Sequence, residues 1–261
     1  MTTAIDGETE QSVGIIARVL TLIYGVASYL FFLGTFVYLM GFVGNWMVPK
    51  SIDSGQAPTS MGAAITINVL MLGLFAVQHS IMARPAFKKW WTRYVPVPIE
   101  RSTFVLLTTA ILALTAWQWR PLPEPLWQVE NPIGVALLSG ISLAGWAIVL
   151  IATFLIDHFE LFGLRQTVAY AAGGVARPPV FKERLFYRWV RHPLMSGFLI
   201  AFWFTPVMTQ GHLLFAVVST AYILIGVKIE ERTLVYLHGE RYEDYRRRVP
   251  MLFPRLGRPK G

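Results

Sequence analysis

Seven polar side chains, His79, Asp157, His158, Arg191, His192, Glu230 and Glu231, interrupt a largely apolar sequence, each at the edge of an apolar run. Arg191 and His192 open the segment RHPLMSG. Pro193 suits the first turn of a helix, because its missing N–H would have no partner within the helix. The N–H groups that follow, with the positive end of the helix dipole behind them, favour an anionic group, and Arg191 adds a two-pronged grip on a carboxylate. Gly197 lets a ligand or a neighbouring helix approach the backbone, with Met195 and the apolar residues beyond it lining a pocket. The same residues have a plainer reading. Arg191 and His192 could be anchors reaching toward lipid phosphates, the histidines satisfied interfacial groups, and Glu230 and Glu231 a solvated helix end. Co-location separates the two readings, since independent anchors have no reason to gather on one face.

The elements that place these residues are membrane spans. Of 261 residues, 54% are hydrophobic and 15% charged, and the mean hydropathy is +0.50. Apolar windows at about 19–44, 62–82, 103–119, 133–156, 194–209 and 212–229 approach the roughly 20 residues that a spanning helix needs. They predict six crossings, or five with the last pair as a short re-entrant hairpin, in an all-α polytopic bundle forming one domain, 1–261, whose cofactor half is about 157–261. The first window is longer than a secretory signal core and reads as a mature helix. The net charge of +8 does not point to nucleic acid: the basic residues crowd into alternate loops and the C-terminal segment. That positive-inside pattern predicts a multi-pass membrane protein with both termini and the polar cluster on the cytoplasmic side.

Mid-span ionisable residues are lacking, with Asn68 the most polar exception, which disfavours ion or proton transport. There is no cysteine, so disulfides, thiolate metal sites and a cysteine nucleophile are excluded, and sulfur chemistry must come from a ligand. No metal site is expected. The prolines at 121, 123 and 125 predict an extended outer connection. Phe181, Leu185, Phe186, Trp189 and Val190 predict an amphipathic surface helix after the small-residue break AAGGVARPP. Gly239 predicts the end of the last span, and a short helix from about Glu240 to Arg248 stops before Pro250. Its Tyr242, Tyr245 and Val249 share a face that folds back over the span ends. No alternating strand pattern is visible.

RHPLMSG followed by EERTLVYLHGERYEDYRRRVPMLFP resembles the C-terminal signature of the isoprenylcysteine carboxyl methyltransferase superfamily of integral membrane methyltransferases. That signature runs R-H-P-x-x-x-G, E-E-x-x-L, F-G-x-x-Y-x-x-Y and V-P-x-x-x-P. The earlier segments AVQHSIMARPAFK and DHFELFGLRQ resemble a bacterial branch that methylates small volatile thiols, turning methanethiol into dimethyl sulfide. The resemblance implies S-adenosyl-L-methionine as cofactor. It places Arg191, His192, Pro193, Gly197, Glu230 and Glu231 in the cofactor pocket, with Tyr187 or Trp189 as an apolar slot and Gln166 and Tyr242 as further contacts. His79 and His158 become candidate bases for the thiol, Asp157 orients either imidazole, and Glu230 joins them in the catalytic set. Two positions depart from the superfamily. Met195 stands where tyrosine is common, and Gly226 stands where the carboxyl methyltransferases carry a catalytic arginine, which fits an uncharged thiol better than a carboxylate. The glycine-rich strand-to-helix turn of soluble methyltransferases is missing. Membrane lipid is the expected surrounding, and neither nucleic acid nor an obligate protein partner is implied. Alternatives are a same-fold enzyme for another thiol or a lipid-linked acceptor, and a non-catalytic membrane sensor or assembly protein.

Overall fold

The computed structural model describes residues 3–55, 60–176 and 185–254. Its helices are α1 Thr3–Gly44, α2 Met61–Met82, α3 Pro85–Trp91, α4 Val97–Gln118, α5 Pro132–Ile156, α6 His158–Leu161, α7 Leu164–Ala171, α8 Pro193–Trp203, α9 Gln210–His238 and α10 Glu240–Arg248. Two short strands, β1 Pro125–Gln128 and β2 Val207–Thr209, pair antiparallel.

Five stretches are long and apolar enough to cross a bilayer: Gly14–Gly44 within α1, then α2, α4, α5 and Gln210–Leu237 within α9. Leu20, Ile23, Leu70, Leu137 and Ile225 lie exposed on these helices, the surface that acyl chains solvate. This is a multi-pass membrane protein.

The expected pair of similar final helices is not what forms. α8 has only 11 residues, about 16 Å at 1.5 Å per residue, against a hydrocarbon core of about 30 Å. The backbone then turns, Thr205 N donating to Trp203 O at 3.2 Å, and bends at Pro206 before the strand Val207–Thr209. At Gln210 the N–H meets Glu124 O at 3.0 Å, and that of Gly211 meets Leu122 O at 3.0 Å. α8 alone is thus too short to cross, whereas Gln210–Leu237 of α9 is long enough. Pro206, and the pre-proline restriction on Thr205, end the helix early. Backbone that is not helical must find partners inside the protein at this depth. Val207–Thr209 finds them on β1, and Val129 N donates to Pro206 O at 2.9 Å. This ribbon is the correction to the expectation of no strand; three or four residues are too few to alternate legibly.

The two ends of the bundle are built differently. Opposite the basic loops, Phe42, Ile52, Trp119, Trp146, Phe202 and Ala216 form the main buried cluster, and Trp119 Nε1 donates to Ile52 O at 3.0 Å. Asn68, the polar exception, is buried there and clips the loop after α4, its amide donating to Arg120 O and accepting from Arg120 N, both at 2.8 Å. The extended, proline-rich connection is confirmed as β1 and its flanks. α5 and α8 cross in close contact at glycines: a Cβ on Gly145 would lie 2.7 Å from Gly197 O, and one on Gly197 2.7 Å from Gly145 O. Small residues at such a crossing give the backbone approach that membrane helices use for packing.

At the basic end, Gly239 closes α9 with φ +56°, its N–H on Val235 O at 2.8 Å. α10 follows over the expected residues. Of the predicted surface helix, residues 181–184 lie outside the described residues; Leu185–Arg188 form one 3₁₀ turn.

Candidate functional site

At the basic end the C-terminal segment is stitched onto the start of α8. Arg191 N donates to Pro250 O at 2.9 Å and His192 N to Met251 O at 3.1 Å. Ser196 Oγ donates to Leu252 O. α8 therefore starts at a two-rung backbone seam with residues 250–251, which fixes where the Arg191 and His192 side chains leave the chain.

Those side chains meet the end of α9. Arg191 Nε lies 2.6 Å from Glu231 Oε1, and Arg191 Nη1 donates to Arg246 O at 2.9 Å and to Val249 O. His192 Nε2 lies 3.1 Å from the same Glu231 oxygen, and its Nδ1 is 3.7 Å from Glu230 Oε2. Arg246 Nε approaches Glu231 Oε2 at 3.9 Å. The two-pronged grip on a carboxylate expected of Arg191 does not form among the described residues: Nε meets Glu231, and Nη1 goes to two carbonyls of this chain. Buried charge is tolerable only when paired and hydrogen-bonded in this way.

Glu230 differs from Glu231. The Glu231 side chain is 10% exposed and the Glu230 side chain 53%, so Glu230 is the carboxylate of this cluster with an open flank. Tyr242, Tyr245 and Val249 pack as a buried cluster against Leu234 and Val235, and Tyr245 OH donates to Tyr187 O at 2.6 Å. Burial, followed by the charge of Glu231, pushes the Tyr242 hydroxyl pKa above its usual range. Burial, then Glu230 and Tyr245, does the same to Tyr187. Both phenols stay neutral beside the carboxylates.

The remaining expected residues separate. Pro193 is buried at the first turn of α8, and the room at Gly197 is taken by α5. Val190 is buried, whereas Trp189 is 67% exposed and points away from the cluster's interior. Gln166 on α7 donates to Glu160 O at 3.3 Å and Glu160 Oε1 at 3.2 Å, while its own Oε1 is buried without a hydrogen-bond partner.

Asp157 was expected to orient an imidazole; it touches neither. Its Oδ1 accepts from Glu160 N at 3.2 Å, capping α6, and its other oxygen pairs with Arg165. The D-x-x-E spacing of residues 157–160 is a capping signature readable in the sequence. His158 is buried and stacked on Phe154 at 4.1 Å. Its Nδ1 lies 2.8 Å from Thr153 Oγ1 and its Nε2 2.8 Å from Tyr29 OH. Thr153 gives its hydroxyl hydrogen to Leu150 O at 2.6 Å, so its oxygen accepts from His158 Nδ1–H and the Nε2 lone pair accepts from Tyr29. Burial lowers the His158 pKa. A neutral imidazole with both nitrogens engaged has no lone pair to offer a thiol.

His79 is different. Its Nδ1 lies 2.9 Å from Tyr222 OH, its ring sits between Phe75 and Phe104 at 5.5 and 5.2 Å, and Nε2 makes no hydrogen bond among the described residues. Ser80 Oγ is 3.5 Å from the same tyrosine oxygen. Tyr222 escaped the sequence reading; the signal was its position eight residues before Glu230 on one helix. Between them stands Gly226, where an added Cβ would meet nothing within 4 Å. Tyr222, Gly226 and Glu230 therefore run along one broad face of α9 at steps of about 6 Å: a hydroxyl carrying an imidazole, an open space, and an open carboxylate. Among the described residues no group of acidic, histidine or cysteine side chains could hold a metal ion.

No protein-family model matches the chain, and no solved structure matches it either. Among curated proteins it is 54% identical over 240 residues to methanethiol S-methyltransferase 2 of Bradyrhizobium diazoefficiens, covering 92% of each chain. It is 53% identical to methanethiol S-methyltransferase of Mycobacterium tuberculosis, over 91% of this chain and 97% of that one. A more distant relative is nurim of Rattus norvegicus, 31% identical over 69% of this chain and 72% of that one. With the RHPLMSG seam, the paired glutamates of α9 and the folded-back tail in place, this chain belongs to the methanethiol S-methyltransferase family, an enzyme family within the isoprenylcysteine carboxyl methyltransferase-like superfamily.

Proposed function

We propose that the protein methylates a small thiol, methanethiol to dimethyl sulfide, using S-adenosyl-L-methionine, at the cytoplasmic side of a bacterial inner membrane. The observation that carries the reading is the α9 face: imidazole on Tyr222, gap at Gly226, half-exposed carboxylate at Glu230. A pocket for a small uncharged acceptor needs room and a base, and a pocket for a cationic donor needs a carboxylate with an open flank. The residues fit the cofactor in one respect: Glu230 is held by His192 yet keeps an open flank for an ammonium or sulfonium charge.

When bound, S-adenosylmethionine supplies a methyl group on a positively charged sulfur, open to in-line displacement. The protein's work is to bind, position and deprotonate. A small alkyl thiol has a pKa near or above the ~8.5 of cysteine, so a few per cent at most is ionised at neutral pH. His79 Nε2 takes the thiol proton, leaving the pair of electrons on sulfur. For that, Nδ1 must carry its own hydrogen and donate it to the Tyr222 oxygen, which also accepts from Ser80 Oγ. Tyr222 is thus a positioning residue that selects the tautomer. Arg191, His192 and Glu231 hold the C-terminal segment over the site and keep Glu230 in place, and the residue-226 gap admits the alkyl group. The unit is the whole chain, 1–261: residues 157–261 carry most of the donor side, and His79 comes from the other half. Positive-inside orientation puts both termini and this end in the cytoplasm, with lipid as the surrounding partner.

The test is turnover. Purified protein given methyl-labelled S-adenosylmethionine and a panel of methanethiol, hydrogen sulfide, longer thiols and lipid-linked thiols should label methanethiol with the highest kcat/KM. Labelling of a lipid acceptor alone, or of none, sinks the proposal.

A further inference from the structure

Between the end of α2 and α9, a groove of about 330 Å³ is lined by Arg84, Pro85, Ile229, Arg232, Thr233 and Tyr236. Arg84 lies two residues past the end of α2, and Arg232 lies on the last turns of α9, so both guanidinium groups stand at the basic end of the bundle, where the spans meet water. Both are exposed. Among the described residues neither has a carboxylate within salt-bridge distance, although Glu230 and Glu231 precede Arg232 in the chain; those are turned to His192 and Arg191. Two unneutralised guanidinium groups facing one cleft repel each other unless an anion lies between them. Thr233 and Tyr236 line the same cleft; the Thr233 hydroxyl donates to Ile229 O at 3.3 Å, and that of Tyr236 is a donor for the cleft.

The surface beneath the groove is apolar. Ile81, one turn before Arg84, is 49% exposed, and Ile225, one turn before Ile229, is 58% exposed. Beside the groove, α3 shows exposed Trp90, and Tyr94 follows it, aromatics of the kind that settle at headgroup level. Donors above and bare isoleucines below match an anion that carries acyl chains. The larger groove, between α1 and α4, offers no such match: it is mostly apolar, and its lysine, Lys50, donates to Trp117 O.

We propose that Arg84 and Arg232 hold the phosphodiester of an anionic phospholipid, with Tyr236 as an added donor and the acyl chains along Ile81 and Ile225. Arginine suits phosphate because its planar fork presents paired donors. Basic pockets between spans on the positive-inside face are where such headgroups bind. The lipid would tie the end of α2 to α9, the helix that carries Tyr222, Gly226 and Glu230. This inference stands apart from the assignment of the reaction.

Native mass spectrometry of the detergent-purified full chain, incubated with phosphatidylglycerol or phosphatidylcholine, tests it. One phosphatidylglycerol per chain should be retained, with phosphatidylcholine retained at least ~10-fold less, and R84Q/R232Q should abolish the preference. In nanodiscs, phosphatidylglycerol should raise the wild-type melting temperature above that in phosphatidylcholine, an arm that decides the matter if the double variant fails to fold. Equal retention of both lipids, or an unchanged preference in R84Q/R232Q, overturns the proposal. So does release of the lipid by inorganic phosphate, which would make the groove a plain anion site, or by S-adenosylhomocysteine, which would make it part of the donor site.

Discussion

Two adjacent glutamates carry opposite burdens. Glu231 is enclosed by Arg191, His192 and Arg246, so Glu231→Gln leaves buried cationic donors without their counter-charge. The expected cost is ~3 kcal/mol or more, read as a lower melting temperature and a smaller folded yield. Glu230→Gln removes a half-exposed carboxylate and should leave melting nearly unchanged while raising the KM for S-adenosylmethionine about tenfold, in line with the loss of one charge-assisted contact. The histidines divide likewise. His79→Ala should lower kcat/KM for the thiol by ~10²-fold at pH 7, the scale of general-base loss, and the variant should recover as pH approaches the thiol pKa. Tyr222→Phe should show a smaller loss with the same recovery. His158→Gln should instead spare turnover and cost stability. Because burial lowers the folded His158 pKa below its unfolded value, the unfolded chain binds the extra proton first. This contribution to stability is full above about pH 6.5 and fades as pH falls toward the folded pKa. Melting temperature should therefore drop on acidification in the wild type, and less steeply in His158→Gln.

At the scale of elements, the sequence disclosed spans better than partners. Apolar length located α2, α4, α5 and α9, and glycine and proline punctuation located the end of α9 and the whole of α10. The short α8 was hidden because the apolar run continues through Phe204 after the helix has stopped; Pro206 was the visible sign. Site geometry was legible in outline, since the polar residues share one end of the bundle. Pairings were not. Arg191 and Glu231 are 40 residues apart, and no local period tells an arginine that its carboxylate is internal. Asp157 was misread for the reverse reason: a local pattern, the cap of α6, outweighed a distant one. The α5–α8 crossing gives this scale its own test. Gly197→Val places a side chain where backbone already stands within 3 Å, and overpacking with no room to relax costs ~3 kcal/mol or more. Loss of folded protein is expected; a stable, active variant would mean the helices are farther apart.

For the whole molecule, the course of α8 and the segment after it decides topology. If together they traverse the bilayer, the loop before α5 and the turn after β2 share one side, and the C-terminal segment lies on the other with residues 157–176. The absence of cysteine makes this directly measurable. Single cysteines at Glu124 and Gln210 should react with an impermeant maleimide in intact cells, and cysteines at Arg165 and Arg247 only after permeabilisation. A reversed pattern for either pair would refute the orientation, and reactivity of Gln210→Cys only after permeabilisation would mean that the crossing is re-entrant.

The seam at the start of α8 also sets a clock on biosynthesis. Arg191 leaves the ribosome 58 residues before Val249, whose carbonyl it must grip. At translation rates of ~5–20 residues per second, the guanidinium waits roughly 3–12 seconds with its tail partners still unmade. A polypeptide arrested before Arg246 would hold every span and the base, yet stay inert and exposed to quality-control proteases.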